Sequence, residues 1–359
     1  MNIAFVVPSL IGGPRETVRR LFKGLLLEGY KIDIFTLRRD KLPLLSEFGN
    51  DLFMIKTMLT ENYDAVIYFG SIPLPSMMFI DCPKKALFVH GFIEDELKNA
   101  IVMAHTRAAV GALGLLAYYK LVKPIFSKGF FYDFTICRSV TSCEKNNLDV
   151  KSCVILPHFI FPEEVKRGKE FYNVEASGLS KNVVLSYSSY AHSPRLFGNH
   201  NVVKVFLGVT RRLNKPLKLI IVDPKISLKY TESYGSLLSV DYSPAMPKKE
   251  FLKMLTSSSL YFDQLTDEEL RNSTIEAGVG GVPVAKYIHP LYVTRQDYGR
   301  EEVIYESDIH KLIDALTEYF SRLDYYLETY AKNFKRFLAT KRIWDYVKRT
   351  LIKELNKDK

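Results

Sequence analysis

From residue 2 to residue 7 the chain is an almost unbroken apolar run, Asn2-Ile3-Ala4-Phe5-Val6-Val7. A strand without polar alternation must be covered on both faces, which a parallel sheet flanked by helices achieves. A glycine-containing loop, Pro8 to Pro14, follows. Val18, Leu21, Phe22 and Leu25 then recur at the spacing of one helix face, and Gly29 stands where such a helix stops. Residues 31–37 alternate Ile32, Ile34 and Thr36 as a second strand. Strand, helix and strand together predict a βαβ unit and hence a parallel sheet.

The same alternation continues. Further strands are expected at residues 65–69, 86–90, 134–137 and 154–156. Between them a helical stretch over about 95–126 carries Lys120, Lys123 and Lys128 at its basic end. It suits a helix buried against the sheet, with an interfacial segment as the alternative. Residues 163–181 are polar and charged and resemble an interdomain linker in composition. A second alternating series then begins. Strands are expected at 182–187, 217–222, 260–262 and 282–286, and helices at 201–213, 251–255, 274–279 and 309–320. A basic helical tail containing Trp344 follows. At roughly 100–200 residues per domain, 359 residues hold two such domains. The boundaries read as a first domain over 1–162, a linker over 163–180 and a second domain over 181–339. Two parallel α/β domains of this kind present a ligand cleft at the carboxyl ends of their strands.

Charge narrows the partners. Lys and Arg number 50 against 40 for Asp and Glu, a net charge of +10, which favours anionic ligands. No nucleic-acid-binding signature accompanies it, so nucleic acid is not expected as a partner. Cys82, Cys137, Cys143 and Cys153 form no CxxC pair and no zinc-finger spacing. Buried, reduced thiols are the simple reading, with a disulfide between two of them left open. Low glutamine content hints at a thermophilic source. The start of the chain has neither a basic segment nor a small-residue cleavage site, and no apolar stretch is long enough to span a bilayer. A cytoplasmic protein is expected. Its basic tail, from Lys332 to Lys359, allows peripheral attachment to an anionic membrane.

The residues that point to chemistry run from Glu268 to Val284. A polar turn leads from a strand end into a helix that Asn272, Ser273 or Thr274 is suited to cap. The free amides at Ser273, Thr274 and Ile275, with the positive end of the helix dipole, suit a diphosphate. Glu276, one turn into the helix, offers carboxylate oxygens to the vicinal hydroxyls of a ribose. Glu268, before the helix, can do the same for a sugar. Gly278, Gly280 and Gly281 permit close backbone packing before Val282-Pro283-Val284.

This segment resembles the E-x7-E region of GT-B glycosyltransferases, in particular the retaining family 4 type. The match rests on Glu268, Glu276, Ala277, the glycines and Val282-Pro283-Val284. The resemblance extends to Ile11-Gly12-Gly13 with its helix and Gly29-Tyr30, to Phe88-Val89-His90-Gly91, to Val154-Ile155-Leu156-Pro157-His158-Phe159, and to the C-terminal helix with Trp344. It implies an α/β fold of two Rossmann-like, doubly wound domains facing a central cleft, with the C-terminal helix of about 340–359 packing back on the first domain. It also implies a hexosyl transfer from a nucleotide-diphosphate sugar, with retention, to a glycan, lipid or protein acceptor. Glu268 and His90 would orient the sugar. Glu276 would hold the ribose, Arg195 and the helix start the diphosphate, and Gly12 and Gly13 would bring backbone close to the ligand. No cofactor beyond the donor and no metal are implied.

The sequence departs from the family at three places. Glu269-Leu270-Arg271 replaces a glycine-rich turn after the first glutamate, no lysine precedes Gly198 where the second clamp cation is expected, and His158-Phe159 replaces Asn-Gly. A non-catalytic binding protein on the same scaffold is the alternative.

Overall fold

A computed structural model of the chain describes residues 1–7, 13–36, 62–70, 80–89, 113–114, 116–117, 120–121, 132–168, 170, 180–188, 197–295, 298–340 and 343–357. The backbone divides into two compact units. Met1–Phe159 with Ile343–Lys359 forms the first and Ile160–Arg342 the second.

The first unit is built on a six-stranded sheet: β1 (Asn2–Val7), β2 (Lys31–Thr36), β3 (Ala65–Phe69), β4 (Lys84–Val89), β5 (Phe134–Cys137) and β6 (Cys153–Ile155). The spatial order is β2-β1-β3-β4-β5-β6 and every pair is parallel. Ile3 to Val7 are wholly buried, as an apolar strand in the middle of a two-sided sheet must be. Helix α1 (Gly13–Leu27) buries Val18, Leu21 and Leu25. A short helix α2 (Val140–Lys145) follows β5, with Ser139 capping it through the amide of Ser142. The end of the chain belongs to this unit. Trp344 lies 5.4 Å from the ring of Phe159 and against Gly24 of α1, where any Cβ would collide with the indole. Lys348 pairs with Glu28 at 2.6 Å.

The second unit opens with helix α3 (Pro162–Arg167), so the polar run read as a linker over 163–180 begins as ordered helix. Glu164 is buried there because its carboxylate accepts from the amide of Phe161, which closes the helix start. The sheet has seven strands: β7 (Ser180–Tyr187), β8 (Leu217–Val222), β9 (Tyr230–Tyr234), β10 (Leu238–Ser243), β11 (Ser258–Asp263), β12 (Val284–Tyr287) and β13 (Ile304–Glu306). Their order is β13-β12-β11-β7-β8-β10-β9, parallel except for β9, which runs antiparallel to β10. Strands β9 and β10 have no counterpart in the sequence reading. β9 is an exposed edge strand with little apolar alternation to betray it.

Alternate strand residues feed two cores. Val184, Leu219, Leu260 and Phe262 face α4 (Asn199–Leu213) and α7 (Ile309–Ser321). Leu185, Val222, Tyr261 and Val284 face α5 (Lys248–Ser257), α6 (Asn272–Val279) and α8 (Leu323–Thr340). Helices on both faces of a parallel sheet make the unit doubly wound. α6 lies close on α8 because Gly278 has no Cβ; one there would strike Phe334 and Leu338. Gly281, at φ +73°, supplies the left-handed residue that turns the chain from α6 toward β12. No described helix is long and apolar enough to cross a membrane.

Candidate functional site

In the second sheet β7, β8 and β10 run outward on one side, and β11, β12 and β13 on the other. The direction of winding therefore reverses between the neighbours β7 and β11. In such sheets the crevice outside the carboxyl ends at this reversal is where ligands bind. Helix α4 follows β7 and helix α6 follows β11, so both begin at that edge.

Neither helix is capped by a side chain. The N-cap of α6 is Arg271, in extended geometry, and that of α4 is Gly198, at φ +76°. The expectation that Asn272, Ser273 or Thr274 caps α6 is thus corrected: all three lie inside the helix. The hydroxyl of Ser273 accepts from Tyr261 at 2.7 Å, and that of buried Thr274 donates to Asp263 at 2.7 Å. Side chains committed to the strand below cannot fold back onto their own amides. The intrahelical ladder begins with Ile275 N–H to Arg271 C=O. The amide of Ile275 is therefore spent within the helix, while those of Ser273 and Thr274 precede the ladder and suit an anion.

Glu276 lies on the buried face of α6 at 2% exposure. Lys248, the first residue of α5, reaches it from solvent and donates to Oε1 at 2.6 Å and to Oε2 at 2.5 Å. The lysine side chain stays half exposed, and its ammonium lies 5.6 Å from the ring of Phe251. Phe251 meets Tyr187, at the end of β7, edge to face. Sequence reading did not single out Lys248. It sits 28 residues before Glu276 in a lysine-rich segment, and only the fold joins them.

The turn that carries Glu268 is fixed from beneath by buried charge. Asp263, the last residue of β11, is fully buried. It accepts from Arg271 Nε at 2.8 Å, from Thr274, and from the amide of Leu265 at 3.1 Å. Burial alone would raise its pKa. Arg271, Lys286 and these hydrogen bonds outweigh that and hold it below the usual carboxylate range. Lys286, on β12, is also wholly buried, and its ammonium donates to the carbonyls of Asp267 at 2.8 Å and Glu269 at 2.9 Å. Burial pulls its pKa below the ordinary lysine value, against the opposing influence of Asp263 and Asp267. The residues bonded on either side of Glu268 are thus pinned by one cation, and Glu268 itself is half-buried. Arg271, where the family resemblance has a small residue, turns inward to Asp263 and fills the turn from below.

A second network holds the start of α4. Gln264 donates to Ser186 and to Asn199, each at 3.0 Å, and Asn199 donates to Asp223 at 2.8 Å. The ends of β7, β8 and β11 are tied together by these amides. Phe197, immediately before Gly198, stacks on Tyr287 at 4.6 Å and packs near Phe262. The position expected for a clamp lysine is a core aromatic.

The fold places Glu268, Glu276, Ser273, Thr274 and Ile275 along one edge of one sheet. Gly13 opens α1 after β1 of the first unit. His90, Gly12 and Arg195 lie outside the described residues.

No protein-family model matches the sequence, and no curated protein matches it. Solved structures do match the fold. A mutant of S. aureus TarM, in complex with fondaparinux, alpha-GlcNAc-glycerol and UDP, is similar over 86% of this chain, at TM-score 0.57 and 14% identity. The chain spans 59% of the length of that protein. Sucrose-phosphate synthase from Thermosynechococcus elongatus is similar over 99% of both chains, at TM-score 0.61 and 15% identity. An alpha-glucosyltransferase in complex with UDP and a 13-mer DNA is similar over 99% of this chain and all of its own, at TM-score 0.63 and 10% identity. The two doubly wound units therefore have the GT-B fold.

Proposed function

We propose that the protein is a glycosyltransferase that moves a hexosyl group from a nucleotide-diphosphate sugar to a glycan, lipid or protein acceptor. The observation that carries this reading is the β7/β11 edge. There a buried carboxylate, a pinned turn bearing a second carboxylate, and two helix starts without side-chain caps come together. Such an edge offers separate recognition for the three parts of a sugar nucleotide. Glu276 accepts from the ribose hydroxyls, the amides of Ser273 and Thr274 face the diphosphate, and Glu268 accepts from hydroxyls of the sugar. Two of the similar structures hold UDP, which makes uridine nucleotides the first to test.

The chemical task is to stabilise a departing diphosphate and the positive charge that grows on the sugar ring. Helix dipoles and Arg195 serve the first need, and Glu268 with His90 the second. In a retaining transfer of this type the leaving phosphate helps to take the acceptor proton. The chain itself then supplies orientation and charge rather than a covalent nucleophile. The first unit would receive the acceptor, and the basic tail suits an acceptor at an anionic membrane surface.

Phe197 favours a second reading. A binding protein that keeps the nucleotide site but lacks the full cationic clamp would retain Glu276 and lose turnover. Calorimetry with UDP-, GDP- and ADP-sugars on the wild type and on Glu276→Ala tests both. One nucleotide bound by the wild type, and at least tenfold more weakly by the variant, supports the donor site. Release of nucleotide in the presence of an acceptor extract then separates enzyme from binder. No binding by any member of the panel would overturn the proposal.

A further inference from the structure

Three of the four cysteines converge in the first unit, whereas the β7/β11 edge belongs to the second. Cys137 ends β5, Cys143 lies in α2 and Cys153 begins β6. Their sulfurs all lie within 4.8 Å of one another, and Cys137 and Cys143 are paired as a disulfide. Thr135 is the register partner of Cys153 and Cys137 that of Ile155, so Cys137 and Cys153 project on the same face of the sheet, one pleat apart. The helical turn returns Cys143 to the same point.

Simple burial of a spare thiol does not require such convergence. Cys82 is buried too, but it satisfies its S–H on the carbonyls of Tyr63 and Lys84, each at 3.3 Å. A metal ion that binds the three sulfurs displaces their protons to solvent, so its affinity rises with pH. Sulfurs bound to one ion at about 2.3 Å lie about 3.8–4.0 Å apart, which the three side chains reach with small rotations. Cys153 is only partly buried and gives the ion a way in.

We propose that, once the Cys137–Cys143 bond is opened, Cys137, Cys143 and Cys153 form a three-thiolate site for one thiophilic metal ion. A phosphine opens the bond: it gives up two electrons and becomes the phosphine oxide with the oxygen of one water, whose two protons go to the two new thiols. The three thiols then release their protons to solvent as the ion binds. A small-molecule disulfide reverses this: it takes two electrons from the Cys137 and Cys143 thiolates, is itself reduced to two thiols, and leaves the Cys137–Cys143 bond reformed. The ion then loses two of its three ligands and leaves, so occupancy follows the redox state. Three sulfur ligands select soft ions such as monovalent copper, or zinc with a water in the fourth place.

The test uses the full chain reduced with a phosphine under nitrogen, with cadmium chloride as the probe. One cadmium per chain is expected, with thiolate-to-metal absorption in the ultraviolet and three sulfur neighbours at the cadmium X-ray edge. Cys82→Ser should bind like the wild type. Cys153→Ser should show two sulfur neighbours and at least tenfold weaker binding against a competing chelator. The disulfide-bonded protein should retain no cadmium. The proposal is overturned if the reduced wild type retains no cadmium, shows fewer than three sulfur neighbours, or binds as Cys153→Ser does. The sulfur count on the wild type decides the matter even if a cysteine variant does not fold.

Discussion

Lys248 holds both carboxylate oxygens of Glu276, one at 2.6 Å and the other at 2.5 Å, with the carboxylate buried and the lysine half in water. The asymmetry has an energetic consequence. Removing the exposed partner takes an ion-pair partner from a buried charge, whereas neutralising the buried partner lets the lysine return to solvent. Lys248→Met should therefore cost about 1–3 kcal/mol of stability. Glu276→Gln should cost less than about 1 kcal/mol. Urea unfolding of the two variants checks this, and equal losses would refute it.

Asp263 is wholly buried, with Arg271 and Lys286 as the cations that act on its carboxylate. Asp263→Asn leaves two buried cations short of a counter-ion and should cost about 3–5 kcal/mol. The pH dependence follows from the lowered carboxyl. Its folded pKa is below the unfolded value, so its contribution is complete above about pH 4 and fades as pH falls toward the folded value. Wild-type stability should decline in that acid range, and the Asn variant should show a flatter acid limb in denaturant titrations at stepped pH.

Lys286 donates to the backbone carbonyls on either side of Glu268. Under the proposed function, Lys286→Met should release that turn without touching Glu276. Turnover should fall by about 10–100-fold, the scale at which misplacement by an ångström costs rate. Donor-nucleotide Kd should stay within about threefold, since Glu276 and the helix amides remain. Parallel losses in turnover and affinity would show that the lysine does more than position the turn.

At Gly278 the α6–α8 contact leaves no room for a side chain. Gly278→Val should push against Phe334 and Leu338 and cost about 1–3 kcal/mol. The midpoint in urea reports it, and an unchanged midpoint would mean that α8 yields freely.

Much of the fold was legible because its elements are declared locally. The burial of Ile3–Val7 follows from their unbroken apolarity, and the stop at Gly29 from its φ of +83°. Edge strand β9 was missed because it buries almost nothing, and an exposed strand carries no hydrophobic period. In the site, Glu268 and Glu276 stood out because a single turn and helix set their spacing. Lys286 left a faint sign, a charge ending the apolar run Val282-Pro283-Val284-Ala285. Lys248 left none.

The sequence by itself determined the parallel α/β class, the strand–turn–helix that bears both glutamates, and the substitution that removes a lysine before Gly198. Tertiary structure decided where the charges go. It turned Arg271 inward to Asp263, set Lys286 under the turn, brought Lys248 to Glu276, filled the clamp position with Phe197 on Tyr287, and gathered three cysteines at one point. The division has a physical cause. Backbone geometry and hydrophobic period act over a few residues, whereas a buried charge is tolerable only beside a partner that the fold brings from elsewhere in the chain.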